Sequence, residues 1–264
     1  MVLSKMRNKT SRVLNASLPW RYLGGLPVHI ANPNDAARWI CMRAAGSRSD
    51  PIDVHLLNAY SVSQTRRDSA LRAVLTDATA NFPDGKPLSL LTRFTRRPLL
   101  QVRGPKLFGD AMDLGRAYGL KHFLLGNTDE TLVLLRNELE SRYPGVHIVG
   151  VYSPPFRDST KAERSAQDEL IRRSGAHITW VGLGTPKQDF EASRLAAALP
   201  GVAVAIGAAF DFVAGTKREA PTWMTHTGME WLFRFATEPR RLWRRYLIGN
   251  LMFLYMVSRW ARKT

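Results

Sequence analysis

One cysteine, Cys41, stands in 264 residues, so the chain can close no internal disulfide and assemble no cysteine-based zinc site. That scarcity points to a reducing compartment, and the cytoplasm is the expected location. Metal-binding patterns are missing too: six histidines show no ligand spacing, and no Asp-x-Asp pair is present to hold a divalent ion beside a diphosphate. Neither a metal nor a cofactor is expected. No window reaches the roughly 18 to 20 apolar residues that span a bilayer; YLIGNLMFLYMV (246–257) comes nearest and is too short. The first 24 residues are basic without a continuous apolar run, so they are expected to form a poorly ordered arm, not a secretory signal. Acidic residues are also scarce. With 22 Asp and Glu against 38 Lys and Arg the net charge is +16, which calls for an anionic partner: nucleic acid, a phosphorylated substrate or an acidic membrane surface.

What is present is an α/β pattern. The runs DVHLL (53–57), HFLLG (122–126), HIVGVY (147–152), HITWVGL (177–183) and VAVAIGA (202–208) are nearly all apolar, as strands covered on both faces must be. Amphipathic stretches at 61–75, 129–143 and 161–175 alternate with them as helices. The expected fold is a Rossmann-like core with a mostly parallel sheet covered by helices, over 25–216, followed by a basic helical appendage over 217–264. The appendage is rich in Trp and Arg; from Arg234 to Thr264 it holds eight basic residues and one acid, Glu238.

In open α/β sheets ligands bind beyond the carboxyl ends of the strands, so the loops there carry the candidates. In HITWVGLGTPKQDF, glycines and a helix start can receive phosphate at Gly184 and Thr185. The same stretch also reads as a bare capping box, with Thr185 as cap, Pro186 first in the helix and Gln188 third. In FLLGNTDETL, Asn127 and Glu130 form a second candidate box. In NFPDGKPL, Asp84 has two readings. One is a turn former beside a Gly85 at positive φ; the other is a general base at a strand end. VYSPPF (151–156) is stiff enough to shape a pocket rim, and the histidines at 55, 122, 147 and 177, in or beside apolar strands, read as structural.

Taken in order, these pieces resemble the WecG/TagA/CpsF glycosyltransferases, glycosyltransferase family 26. The resemblance rests on a leucine-rich run ending in Asn58, PDG (83–85), VRGPKLF (102–108), FLLGN (123–127), GLGTPKQDF (182–190), AIGAAFDFVAG (205–215), REAPTWM and GMEWLFRFATEPRRLWRRYL. It implies a metal-independent, inverting transfer from a UDP-sugar to an undecaprenyl-diphosphate-linked sugar, in bacterial surface or exopolysaccharide synthesis. It further implies Asp84 as catalytic base, Gln188 at the donor pocket and Asn58 as the pocket asparagine. Two departures stand out. Leu56 and Leu57 occupy the place of an expected threonine, and Gln101 that of an expected arginine. Arg103, two residues on and on the same face of a strand-like segment, is the candidate replacement.

The appendage interleaves aromatics with Arg234, Arg240, Arg241, Arg244 and Arg245. These fit an anionic membrane surface and the acceptor's diphosphate, which a planar guanidinium grips in bidentate fashion. The expected enzyme is therefore peripheral on the inner face of the plasma membrane. A solvent-facing basic helix packed on the core is the plainer alternative, and a homo-oligomer is left open. The competing class is a nucleic-acid-binding protein, motivated by charge but without a recognised motif. A nucleotide-dependent oxidoreductase lacks the third glycine and the acidic ribose ligand. Nucleic acid is not the expected partner.

Overall fold

The computed structural model describes residues 18–46, 50–227, 229–240 and 252–253 of the chain. An antiparallel hairpin, β1 (Trp20–Leu23) and β2 (Leu26–His29), comes first. The boundary expected after residue 24 falls inside it. Leu23, Leu26 and Val28 are buried in one apolar cluster, a short period-two signal within a basic stretch.

Then follow α1 (Pro33–Ala45), β3 (Ile52–Leu57), α2 (Ala59–Gln64), α3 (Ser69–Asp77), β4 (Ala80–Pro83), α4 (Lys86–Thr92) and α5 (Gly104–Arg116). After these come β5 (Lys121–Gly126), α6 (Asp129–Arg142), β6 (His147–Tyr152), α7 (Lys161–Ser174), β7 (Ile178–Gly182) and α8 (Lys187–Ala198). The described part closes with β8 (Val202–Ala205), α9 (Ala209–Val213), α10 (Thr222–Thr227) and α11 (Glu230–Thr237).

Strands β3 to β8 form one parallel sheet in the order β4-β3-β8-β7-β5-β6, the Rossmann-like α/β arrangement expected from the pattern. All five expected strands are there. The sixth, β4, has only four residues and ends in a proline, too short for its own periodicity to stand out. The single helix expected over 61–75 is two, because the Asp68 carboxylate accepts from Leu71 N at 2.9 Å and starts α3 afresh.

Successive strand residues point to opposite faces, and the core divides accordingly. Leu124, Trp180 and Val204 pack with residues of α1, α5 and α6 on one side. Phe123, Leu125, Val181 and Ala203 pack with residues of α7 and α8 on the other.

The end of β7 needs a glycine for space alone. A Cβ on Gly182 would lie 2.6 Å from Cδ2 of the buried Phe210, so Gly182→Ala forces that ring or the backbone to shift. It should lower unfolding stability by about 1–3 kcal/mol, read as a fall in the urea midpoint at unchanged slope.

Candidate active site

The carboxyl ends of β3, β4, β5, β7 and β8 open on one cleft of about 720 Å³, within the size range of small-molecule sites. Asn58, Asp84, Arg103, Gly184, Thr185, Gln188 and Arg234 all line it. The structure therefore brings together residues that lie up to 176 positions apart (58 to 234). Of the other tail arginines, Arg240 is exposed, and Arg241, Arg244 and Arg245 lie outside the described residues.

Asp84 continues the sheet ladder one residue past β4, its N–H donating to Leu57 O at 2.8 Å. Its carbonyl accepts from Gln101 Nε2 at 2.7 Å, and its Oδ1 accepts from Gly104 N at 3.1 Å, at the first residue of α5. The helix start thus holds one carboxylate oxygen, while Oδ2 receives no hydrogen bond from a described residue.

Burial raises the Asp84 pKa above the ordinary carboxylate value, and the nearby charge of Glu230 raises it further. The Gly104 amide, Arg234 and Arg103 pull the other way without reversing the shift. The turn reading of Asp84 fails: Gly85 has φ −82, and the carboxylate reaches across to α5 instead of bonding its own loop. Gly85 packs closely on the neighbouring loop, since a Cβ there would sit 3.2 Å from Asn58 Cβ.

Asn58 caps α2, its Oδ1 accepting from Tyr60 N at 3.0 Å and Ser61 N at 3.1 Å. Ser61 completes a capping box that sequence inspection passed over, although Asn-x-x-Ser was the available signal. The cap uses only the oxygen, and Nδ2 remains as a donor at the cleft wall. Leu56, at the place of the expected threonine, lines the cleft without a hydroxyl.

The capping box expected at Thr185 is not formed. Helix α8 begins at Lys187 with Pro186 as cap residue, one position later, and no side chain caps it. Gln188, almost fully buried, instead accepts from Gly184 N through Oε1 at 3.0 Å, which shapes the glycine turn at the cleft floor. The box expected at Asn127 is likewise displaced: Thr128 caps α6, and Asn127 has φ 66.

The Asn127 amide donates to Asp211 Oδ1 at 3.1 Å, while Lys217 Nζ lies 3.1 Å from Asp211 Oδ2. Asp211, on α9, is a second carboxylate in the cleft that sequence inspection gave no role. Its partners stand 84 and 6 residues away, so no local pattern announced it.

Arg103 does not lie on a strand. It is the cap residue of α5, and its guanidinium pairs with Glu219 at 3.2 Å and Glu230 at 3.3 Å. Gln101 does not stand in for a charge either; it props the Asp84 carbonyl. Helix α11 supplies Glu230 and Arg234 to the cleft, with the Arg234 guanidinium 5.3 Å from the Phe212 ring centroid. The start of the basic appendage therefore forms part of the cleft wall.

Under the cleft, His55 is fully enclosed, with Nδ1 at 3.0 Å from Asp189 Oδ1 and Nε2 at 3.1 Å from Asp53 Oδ2. Both ring nitrogens face carboxylates, so both carry protons and the ring is an imidazolium. Burial alone would lower its pKa, but the hydrogen bonds and charges of Asp189 and Asp53 raise it to about 9. This group ties β3, which leads to Asn58, to α8, which carries Gln188. His122 is the opposite case, driven down to about 3 by burial, and its Nδ1 accepts from Trp180 Nε1 at 3.1 Å.

The sequence is similar to known proteins along the same lines. Over 177 residues it is 29% identical to the N-acetylglucosaminyldiphosphoundecaprenol N-acetyl-beta-D-mannosaminyltransferase of Bacillus spizizenii, a match taking in 66% of this chain and 66% of that protein's length. The profile of the Glycosyl transferase WecG/TagA/CpsF family matches residues 21–264, which carry the sheet, the cleft and the described part of the appendage. The chain belongs to the WecG/TagA/CpsF family of glycosyl transferases.

Proposed function

We propose that this protein transfers a sugar from a UDP-sugar to a sugar already carried on undecaprenyl diphosphate, with inversion and without a metal ion, in the building of a bacterial envelope polysaccharide. The observation that carries the reading is Asp84: a carboxylate clamped on one oxygen by the α5 N-terminus, open on the other, at the wall of the cleft. The similar Bacillus spizizenii protein, an N-acetylglucosaminyldiphosphoundecaprenol N-acetyl-beta-D-mannosaminyltransferase, suggests the acceptor class, a lipid-linked diphosphosugar.

In the proposed step an acceptor hydroxyl oxygen attacks the anomeric carbon. Its proton passes to Asp84 Oδ2, and the bond from that carbon to the diphosphate breaks, with the electron pair leaving on UDP. A carboxylate whose pKa is moved up towards neutrality is a stronger base than an ordinary one, which favours this role. Gln188, Gly184 and Thr185 would line the donor, with Asn58 beside Asp84, and Arg103 is paired for now with Glu219 and Glu230. Arg234, on the cleft wall, would meet diphosphate charge, and Arg240, Arg241, Arg244 and Arg245 would bind the acceptor diphosphate and the membrane surface.

Among the described residues no helix is long and apolar enough to cross a membrane. A peripheral position on the inner leaflet follows from the lipid-borne acceptor and the basic appendage.

The test is a screen of UDP-sugars with a short-chain diphosphosugar acceptor in the presence of EDTA. Transfer with inverted configuration at undiminished rate is the expected result. Loss of activity on chelation would overturn the metal-free step. Failure to bind any UDP-sugar, together with tight and steeply salt-dependent binding to nucleic acid, would favour the competing class.

A further inference from the structure

Residues 86–101 read KPLSLLTRFTRRPLLQ, with four basic side chains and no acid. They form α4 and the loop that returns to Gln101. The loop is pinned: Leu88, Thr92 and Leu99 are buried, and Thr92 Oγ1 accepts from Leu99 N at 2.8 Å. The Arg21 guanidinium on β1 adds bonds to Thr95 Oγ1 at 2.6 Å and Arg97 O at 2.9 Å.

This pinned loop displays large apolar side chains. Phe94 is 89% exposed, Leu90 46% and Leu100 45%; on the adjoining strand Tyr22 is 54% exposed. Exposed side chains of this kind gain nothing in water, and several of them on one short loop point to a contact surface. Around them the charge is of one sign. The Arg93 guanidinium lies 4.7 Å from the Phe94 ring centroid, and exposed Arg96 and Arg97 pair with no carboxylate among the described residues.

We propose that this loop, with β1 beside it, is a membrane-docking surface of the catalytic core, separate from the basic appendage. Phe94, Leu90 and Leu100 enter the headgroup region, while Arg93, Arg96 and Arg97 bind anionic lipid headgroups. The inference rests on the proposed lipid-borne acceptor, and two observations favour a bilayer as the occupant. The loop starts just after Asp84 and ends at Gln101, which props the Asp84 carbonyl, so docking it would bring the proposed base to the membrane. Phe253, in the appendage, packs in the same buried apolar cluster as Leu88 and Leu99, so this residue of the appendage lies beneath the loop. A second copy is disfavoured, because a two-fold contact would set arginines against arginines.

The experiment uses the full chain and co-sedimentation with vesicles of phosphatidylglycerol mixed with phosphatidylcholine, or of phosphatidylcholine alone. Phe94→Ala/Arg96→Ala/Arg97→Ala, with its helix content checked by circular dichroism, should bind the anionic vesicles about 30-fold more weakly than wild type. Phe94→Ser alone should also weaken binding and guards against misfolding of the triple variant. Transfer to a short-chain acceptor in vesicle-free solution should be unchanged. Anionic-vesicle affinity within roughly twofold of wild type would overturn the proposal. So would equal binding of wild type to both vesicle types, or a change only in oligomeric mass. If wild type transfers no sugar at all, the function proposed above fails, while the vesicle arm still decides this surface.

Discussion

Asp84→Asn should lose about 10²–10⁴-fold in turnover while unfolding no more easily than wild type. The amide keeps an oxygen for the Gly104 N–H, so the α5 clamp survives and only the proton acceptor is removed. Stability should hold or rise, for a reason of sign. The Asp84 pKa is raised in the folded state, so its favourable contribution exists at low pH and is lost as pH climbs through the folded value. Once ionised, the carboxylate therefore costs stability, and the amide avoids that cost.

Thermal unfolding at pH 7 and pH 5 checks this, since the advantage of the variant should shrink at the lower pH. In wild type the acid limb of kcat/KM should lie above the ordinary Asp value of about 3.9. Glu230→Gln should move that limb downwards, because the Glu230 charge is the second cause of the shift. A fully active Asp84→Asn enzyme would remove the base assignment.

The largest expected effect on stability comes from His55→Leu, about 3–5 kcal/mol at pH 7. The substitution leaves Asp53 and Asp189 buried without the cation between them. In wild type the His55 pKa is raised from 6.5 to about 9, so its contribution is complete below pH 6.5 and disappears as pH rises through about 9. Asp53 moves the other way. Burial opposes its ionisation, but the bonds from His55 and Thr79 hold its pKa below normal, so its contribution is lost only in acid.

Urea midpoints should fall between pH 7 and pH 9.5 in wild type and stay nearly flat over that range in His55→Leu. Parallel curves would refute a buried imidazolium. Adding Asp53→Asn and Asp189→Asn should recover much of the loss, since removing a whole buried charge set is far milder than breaking it.

Much of the fold was legible in the chain, and the residues show why. β5, β6, β7 and β8 are apolar runs bounded by turn residues, and the helices at 129–142 and 161–174 carry their own caps. These are local signals. β4 was hidden by its length, the helix over 61–75 by the Asp68 cap inside it, and the hairpin by the basic stretch around it. At the cleft, Asp84, Asn58 and Gln188 were legible only through an ordered set of motifs. Local chemistry made Asp84 a turn and Gln188 a cap, and both readings proved to be wrong in detail.

The sequence by itself determined the α/β class, the loops that carry polar groups at the strand ends, and the family. Periodicity, capping residues and motif order are all written within a few residues of one another. Tertiary structure alone decided the chemistry of the site. It aimed the α5 N-terminus at Asp84, set Arg103 against Glu219 across 116 residues, and joined Asn127 to Asp211 across 84. A carboxylate's pKa, a guanidinium's partner and a histidine's charge depend on what lies within a few ångströms in space, and chain distance carries no record of that.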